Sequence, residues 1–363
     1  MLTLCVVFID RNYRTGINVS FYDRVREVKK LEEYLDRYST VIIYGPKGVG
    51  KSEIVRYFLK TKNYPSVIID AREENVKTLV EEPLKLSDVV NKIASMLGES
   101  SWIIKLHYVV YEIIDYFINR IAGENFMIVF DEFHLLSRDK NEAVKDLISM
   151  AGFLAKNHKY KNFKVIVTAS EGFITSYEVF SKIIGYNTTY MVIEEIDDEH
   201  FDALFEEYKQ NNSINQRLGV IKNVVGKNPG LIREIDDEEK LKNFIEHEKI
   251  KLTKALIRTY SEVFKVDYND VFLKWKNIEM KDKMINLVLE FIGKKINPLL
   301  HPQFDLIGEK LCDHNILYPV FEKDRIIYKP QIPLYLEILK IIGEKEDEGI
   351  TEELINRLKN NTL

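Results

Sequence analysis

The sequence predicts an α/β protein. A parallel sheet with helices on both faces is followed by a helical lid and a winged-helix domain. Three observations predict it. Five short β-branched runs alternate with helical patterns. A turn reading G-x-x-x-x-G-K-S lies between the first run and the helix behind it. After Ile193 the strand signals stop, and only a late pair of apolar runs around a charged turn restores them.

The elements follow in order. Leu2–Ile9 is an apolar run that reads as a strand. It is too short to span a membrane, and it lacks the basic flank and small-residue cleavage site of a signal peptide. The five sheet runs are Val41–Tyr44, Val67–Asp70, Phe126–Asp131, Lys164–Thr168 and Tyr190–Ile193. The long gap between the second and third holds helical patterns around Ser87–Leu97 and Trp102–Ile121. "DDEHFDALFEEYKQNN" opens on the capping residues Asp197 and Asp198 and places Phe201, Leu204, Phe205 and Tyr208 on one face. Helical patterns then run to about residue 276, interrupted by "GKNPG". "MKDKMINLVLEFIG" and "FDLIGEKLCDHNILY" read as helices, "YPVFEKDRIIYKP" as a hairpin, and the charged tail as a terminal helix. Helices followed by a hairpin suggest the winged helix. The expected division is 1–195 for the α/β domain, 196–276 for the lid, 277–345 for the winged helix and 346–363 for the tail.

Composition narrows the function classes. Hydrophobic residues make up 45% and charged residues 30% of the 363-residue chain, enough for sizeable cores. The formal net charge of −5 gives no global field for nucleic acid. Cys5 and Cys312 are the only cysteines, too few for a disulfide framework or a zinc site, so a reducing cytoplasm is the expected location. No membrane association is expected.

The chemistry is carried by three stretches. In "VIIYGPKGVGKSEIV", Gly45, Pro46, Lys47, Gly48, Val49, Gly50, Lys51 and Ser52 form a loop whose glycines let successive N–H groups face a polyphosphate. The helix starting near Lys51 adds its positive end. Lys51 is expected to reach the outer phosphates and Ser52 to ligate Mg²⁺. In "FMIVFDEFHLL" the strand ends on Asp131 and Glu132. Parallel strands end at one edge, so Asp131 can share the Mg²⁺ with Ser52 while Glu132 orients and deprotonates a water. An acidic pair at that edge favours water as acceptor, hence hydrolysis of a nucleoside triphosphate over transfer to a substrate. In "KVIVTAS", Thr168 and Ser170 end the next strand, and Ser170 is the preferred sensor of the γ-phosphate.

These residues resemble the archaeal ATPase family of the STAND class, within the AAA-related P-loop ATPases. The resemblance runs from roughly residue 19 to 345. It is carried by "VSFYDRVREVKKLEEYL", similar to a leading helix with a Phe-x-x-Arg-x-x-Glu signature, and by "GPKGVGKS", "VFDEFHLL", "VIVTASEGF" and "VVGKNPGLI". Ala169 stands where the family has glycine, and Lys227-Asn228 precede Pro229 where a second glycine and a variable residue are usual. The resemblance implies a nucleotide held between sheet edge and lid, with a winged helix that moves with nucleotide state. It places Tyr22 and Arg24 by the base or ribose and Pro229 over the adenine. Ring-forming relatives carry an arginine finger between the sensor strand and the last strand. Residues 171–195 contain no arginine, and Lys182 is their only cation. Slow hydrolysis and a switch, rather than a processive motor, follow from that.

Two alternatives stay open: a DNA-dependent ATPase similar to archaeal replication initiators, and a non-hydrolysing nucleotide-gated binding module. From Lys281 to Pro330 eight Lys/Arg face seven Asp/Glu, a net of +1, without the clustered basic face of a phosphate reader. A protein partner of unknown identity is therefore the favoured use of the winged helix, with DNA the other.

Overall fold

The computed structural model describes residues 9–14, 19–70, 111, 114–115, 125–133, 140–156, 162–169, 187–212, 214–275, 278–322, 325–344 and 350–360. The expected helices at Ser87–Leu97 and over most of Trp102–Ile121, the run Leu2–Phe8, Ser170 and Lys182 lie outside these residues.

Five strands build the central sheet: β3 (Thr40–Tyr44), β4 (Ser66–Asp70), β5 (Phe126–Asp131), β6 (Phe163–Thr168) and β7 (Thr188–Val192). Their order is β4-β5-β6-β3-β7, and every pairing is parallel. Each of β3, β4 and β5 is buried along its whole length, which is why their sequences read as continuous apolar runs rather than alternating ones. Helices α1 (Val25–Arg37) and α2 (Lys51–Lys62) cover one face through Leu31, Ile54 and Phe58, packed on Val41, Ile43 and Val129. On the alternate positions Ile42, Ile128, Phe130 and Val165 are equally buried, and α3 (Lys140–Lys156) contributes the buried Leu147, Met150 and Ala151. This is the α/β fold with helices flanking a parallel sheet. The order sets β3, which feeds the glycine-rich loop, one strand away from β5, which carries the acidic pair.

A two-stranded antiparallel ribbon, β1 (Ile9–Arg14) and β2 (Ser20–Tyr22), precedes α1. Strand alternation sends the two aromatics of β2 to different cores. Phe21 stacks on Tyr57 of α2 at 3.9 Å between ring centroids, while Tyr22 enters the helical core that follows the sheet.

That second core holds α4 (Asp198–Asn211), α5 (Leu218–Val225), a 3-10 turn (Pro229–Glu234), α6 (Glu238–Phe264) and α7 (Tyr268–Lys274). Asp197 caps α4 by accepting from the His200 N–H at 2.9 Å, and Asp237 caps α6 from Lys240 at 2.8 Å. The same hydrophobic cluster continues into α8 (Ile278–Phe291), α9 (Pro302–Asp313), α10 (Leu334–Glu344) and α11 (Ile350–Asn360). A three-stranded antiparallel sheet completes this part: β8 (Lys295–Ile296), β9 (Leu317–Glu322) and β10 (Arg325–Pro330), in the order β8-β10-β9. Among the described residues no helix is long and apolar enough to cross a membrane.

Candidate functional site

The site begins at the C-terminal end of β3. Gly45 leaves the strand at φ 144°, where a Cβ would lie 2.0 Å from the Ile193 carbonyl oxygen, so no side chain fits there. The loop then turns through Gly48 and Gly50 into α2.

The carbonyl groups of the loop are all held. Lys51 Nζ donates to Gly45 O at 2.8 Å and Pro46 O at 3.0 Å. Asn228 Nδ2 donates to Lys47 O at 2.5 Å, and the Gly230 N–H donates to Gly48 O at 3.0 Å. Arg24 donates to Val49 O at 3.0 Å. The five acceptors are thus taken by three different parts of the chain: the first turn of α2, the Asn228–Gly230 segment and the residue before α1. In a trans peptide the N–H points opposite to the C=O. Fixing the carbonyls outward therefore fixes the amides inward. Among the described residues no protein acceptor takes the N–H of Lys47, Gly48, Gly50, Lys51 or Ser52. Five orphan donors at a helix N-terminus suit a polyphosphate.

The acidic edge meets this loop. Ser52 Oγ donates to Asp131 Oδ1 at 2.7 Å. Thr168 Oγ1 donates to the same oxygen at 2.5 Å and accepts from the Glu132 N–H at 2.9 Å. Arg56, one turn beyond Ser52, approaches Asp131 Oδ2 at 3.4 Å and Asp70 Oδ2 at 3.5 Å. Asp131 is only 2% exposed, so these partners hold its carboxylate in place. Glu132 follows in the left-handed region at φ 56°, unusual for a residue with a side chain, and Thr168 pins that turn. A serine hydroxyl and a carboxylate in contact are hard oxygen donors. They fit a Mg²⁺ shared with phosphate oxygens.

The remaining candidates lie as follows. Arg24 is 3% exposed, and besides Val49 O it donates to Glu194 O at 2.8 Å and to Glu27 at 2.8 Å. Tyr22 donates to Glu207 Oε2 at 2.6 Å, and its ring packs with the helical core. Pro229 opens the 3-10 turn seated on the loop, where a Cβ on Gly230 would come within 2.7 Å of Gly48 Cα. Asn228 is 1% exposed, and its Oδ1 has no hydrogen-bond partner.

Sequence reasoning missed Asn228, Arg56 and the bracing role of Thr168. Arg56 stands at i+4 from Ser52, the spacing that puts both on one helix face toward Asp131, so a signal existed. Asn228 acts across 181 positions of sequence, which no local pattern encodes.

Glu194 links the site to the rest of the molecule. Its carbonyl takes Arg24, while its carboxylate pairs with Lys329 of β10 and accepts from Tyr318 of β9 at 3.4 Å. Burial, with Glu194 beside it, pushes the Tyr318 hydroxyl well above its ordinary range, so it stays a donor.

A search among curated proteins finds no match. Among solved structures, the Walker-type ATPase PABY2304 of Pyrococcus abyssi aligns at 21% identity and a TM-score of 0.48, over 88% of this chain and 96% of that one. The Aeropyrum pernix ORC2 protein, in its ADPNP–ADP complexes, aligns at 13% identity and a TM-score of 0.38, over 93% and 99% of the two chains. The Aeropyrum pernix ORC1 protein in complex with DNA aligns at 12% identity and a TM-score of 0.41, over 91% and 94%. A family profile described as an ATPase domain predominantly from Archaea matches residues 21–235, more than half of the chain and all of the site just described. The chain belongs to that family of archaeal-type ATPase domains.

Proposed function

We propose that the protein is a slow ATP-hydrolysing switch of the STAND type, in which the bound nucleotide sets the position of the lid and of a C-terminal winged helix. The observation that carries this reading is the triple hold on the phosphate loop. Lys47 O and Gly48 O are tied to the lid segment, and Val49 O is tied through Arg24 and Glu194 to β9 and β10. A loop that shifts when phosphate enters pulls on both connections at once. Helices α8 and α9 with the β9–β10 hairpin form the proposed winged helix.

The roles follow from position. The loop amides and Lys51 would hold the phosphates. Ser52 and Asp131 would hold Mg²⁺, which neutralises phosphate charge when bound. Glu132 would orient the attacking water and take its proton, with Thr168 fixing the turn that aims it. Ser170 remains the proposed sensor. Turnover would be slow because residues 171–195 supply no arginine finger, a group worth about 10³–10⁵ in rate.

Trapping tests the coupling. Glu132→Gln with ATP and Mg²⁺ should give small-angle scattering and protease cutting near residues 270–280 that differ from the apo and ADP forms. Identical profiles in all three states would reject the switch.

A further inference from the structure

Helix α6 has one buried side and one basic side. Leu241, Ile245, Leu252 and Leu256 sink into the helical core. Lys240, His247, Lys251, Lys254 and Arg258 follow one another at spacings of seven, four, three and four residues, which puts them on a single helix face. Asn243 and Ser261, which fall on the same line, are uncharged. Two turns beyond Arg258 the exposed Lys265 caps the helix. At 1.5 Å per residue the row from Lys240 to Arg258 is about 27 Å long.

The row is accessible. Lys254 and Arg258 are exposed, and among the described residues neither side chain has an ion-pair or hydrogen-bond partner. The His247 side chain is 76% exposed. Lys240 and Lys251 are partly committed: Lys240 pairs with Asp236 at 2.7 Å, and Lys251 donates to the Tyr335 hydroxyl at 2.8 Å. A cleft of about 310 Å³ runs beside them. Five of its seven lining residues are His247, Lys251, Lys254, Arg258 and His314, and none is a carboxylate. The neighbouring acids do little to cancel this charge. Glu248 is buried and bonded to the Tyr335 hydroxyl, and Glu262 pairs with Lys310 of α9 at 2.6 Å. Asp313, next to His314, is exposed.

A straight row of accessible cations, in a chain of net charge −5, calls for a row of anions. We infer that this face of α6 is a docking surface for the phosphodiester backbone of duplex DNA, held by charge and without reading sequence. Ile250 is the one exposed large apolar residue at the cleft, so an acidic peptide finds few apolar anchors there. No exposed phenylalanine, tyrosine or tryptophan stands on the row, so a single strand finds no stacking platform. A duplex needs neither, since its phosphates are met by charge alone. The row matches the axial length of about eight base pairs at 3.4 Å each. Its affinity belongs to the non-specific class, about 10⁻⁶–10⁻⁴ M near physiological salt. The inference stands apart from the switch reading, because the surface needs neither hydrolysis nor Lys51.

Fluorescence anisotropy on the full chain, without nucleotide, tests it with a short labelled duplex of arbitrary sequence between about 50 and 200 mM salt. The parent should bind, equally well when the sequence is scrambled, and Lys51→Ala should bind as the parent does. Lys254→Gln combined with Arg258→Gln should weaken binding by about tenfold, two surface ion pairs lost. The same change should make the slope of log affinity against log salt shallower by about two. Melting should match the parent, because both side chains are exposed and make no bond within the protein. Lys294→Gln combined with Arg325→Gln removes two exposed cations beside the β9–β10 hairpin instead and should leave the affinity unchanged. No binding by the parent at about 50 mM salt would overturn the inference. So would an unchanged affinity and slope in the Lys254 and Arg258 variant, or a single strand of the same length bound more tightly than the duplex. Capture of labelled poly-glutamate but not of the duplex would also overturn it, in favour of an acidic protein partner.

Discussion

Arg24→Ala separates two uses of one residue. The family resemblance puts Arg24 beside the base or ribose, whereas the structure spends its guanidinium inside the protein. Nη2 donates to Val49 O and Glu194 O, and Nη1 pairs with Glu27, with the side chain 4% exposed. Truncation leaves two carbonyl oxygens without their charged donor. At about 1.5–3 kcal/mol for each hydrogen bond to a charged group, the loss is about 3–6 kcal/mol. For a domain of 150–250 residues, each kcal/mol lowers the melting temperature by roughly 2–4 °C, so a fall of roughly 10 °C is expected. Nucleotide affinity should fall too, because Val49 O no longer anchors the inward amides, but the preference between ATP and GTP should not change. Arg24→Lys keeps the charge without the fork and should recover only part of the stability. The assay is calorimetric melting paired with isothermal titration of ADP, ATP and GTP. An Arg24→Ala protein that melts within about a degree of the parent, yet binds nucleotide poorly or changes its base preference, would refute the bracing argument.

The remaining predictions are shorter. DNA binding, if measured by fluorescence anisotropy at about 150 mM salt, should be weak and steeply salt-dependent, because the Lys281–Pro330 stretch is nearly neutral; nanomolar, sequence-specific binding would favour the replication-initiator reading. Burial and the neighbouring Arg258 hold His314 below the usual imidazole range, against the opposing pull of Glu262 and Asp313. Its neutral form is therefore the folded one. The associated stability is complete above the ordinary histidine value of about 6.5 and is lost as pH falls through the depressed folded value. His314→Gln should flatten the melting temperature between about pH 7 and pH 5, and an unchanged slope would place the titrating group elsewhere.

The glycine-rich loop was legible because its turn needs glycines at fixed spacing from Lys51 and Ser52, and that spacing survives as a string. The acidic edge was legible for a similar reason: apolar residues must run up to Asp131 in a buried strand, and the two acids then stand out. The sheet strands were readable as apolar runs because both faces are covered. What escaped reading is what acts at long range. Asn228 looked like a departure from a glycine motif, yet it is the residue that reaches Lys47 O. The resemblance places Arg24 by the base or ribose, and only the folded path shows that Val49 O and Glu194 O are also in its grasp. The expected division into lid, winged helix and tail rests on a change of pattern along the chain. In space one buried cluster runs from Val19 through Phe201, Leu256 and Tyr328 to Leu358. Periodicity reveals which residues are apolar but not which elements share them.

Single-turnover phosphate release from ATP, measured on the parent and on Glu132→Gln, tests the central claim most directly. The substitution removes the proton acceptor and keeps its shape, and it leaves Asp131 with Ser52 and Thr168 untouched. ATP and Mg²⁺ binding should therefore persist while the release rate falls by roughly 10²–10⁴, the usual worth of a positioned base. Release as fast as in the parent would contradict the role given to Glu132, and no release from either protein would make the chain a nucleotide-gated binding module instead.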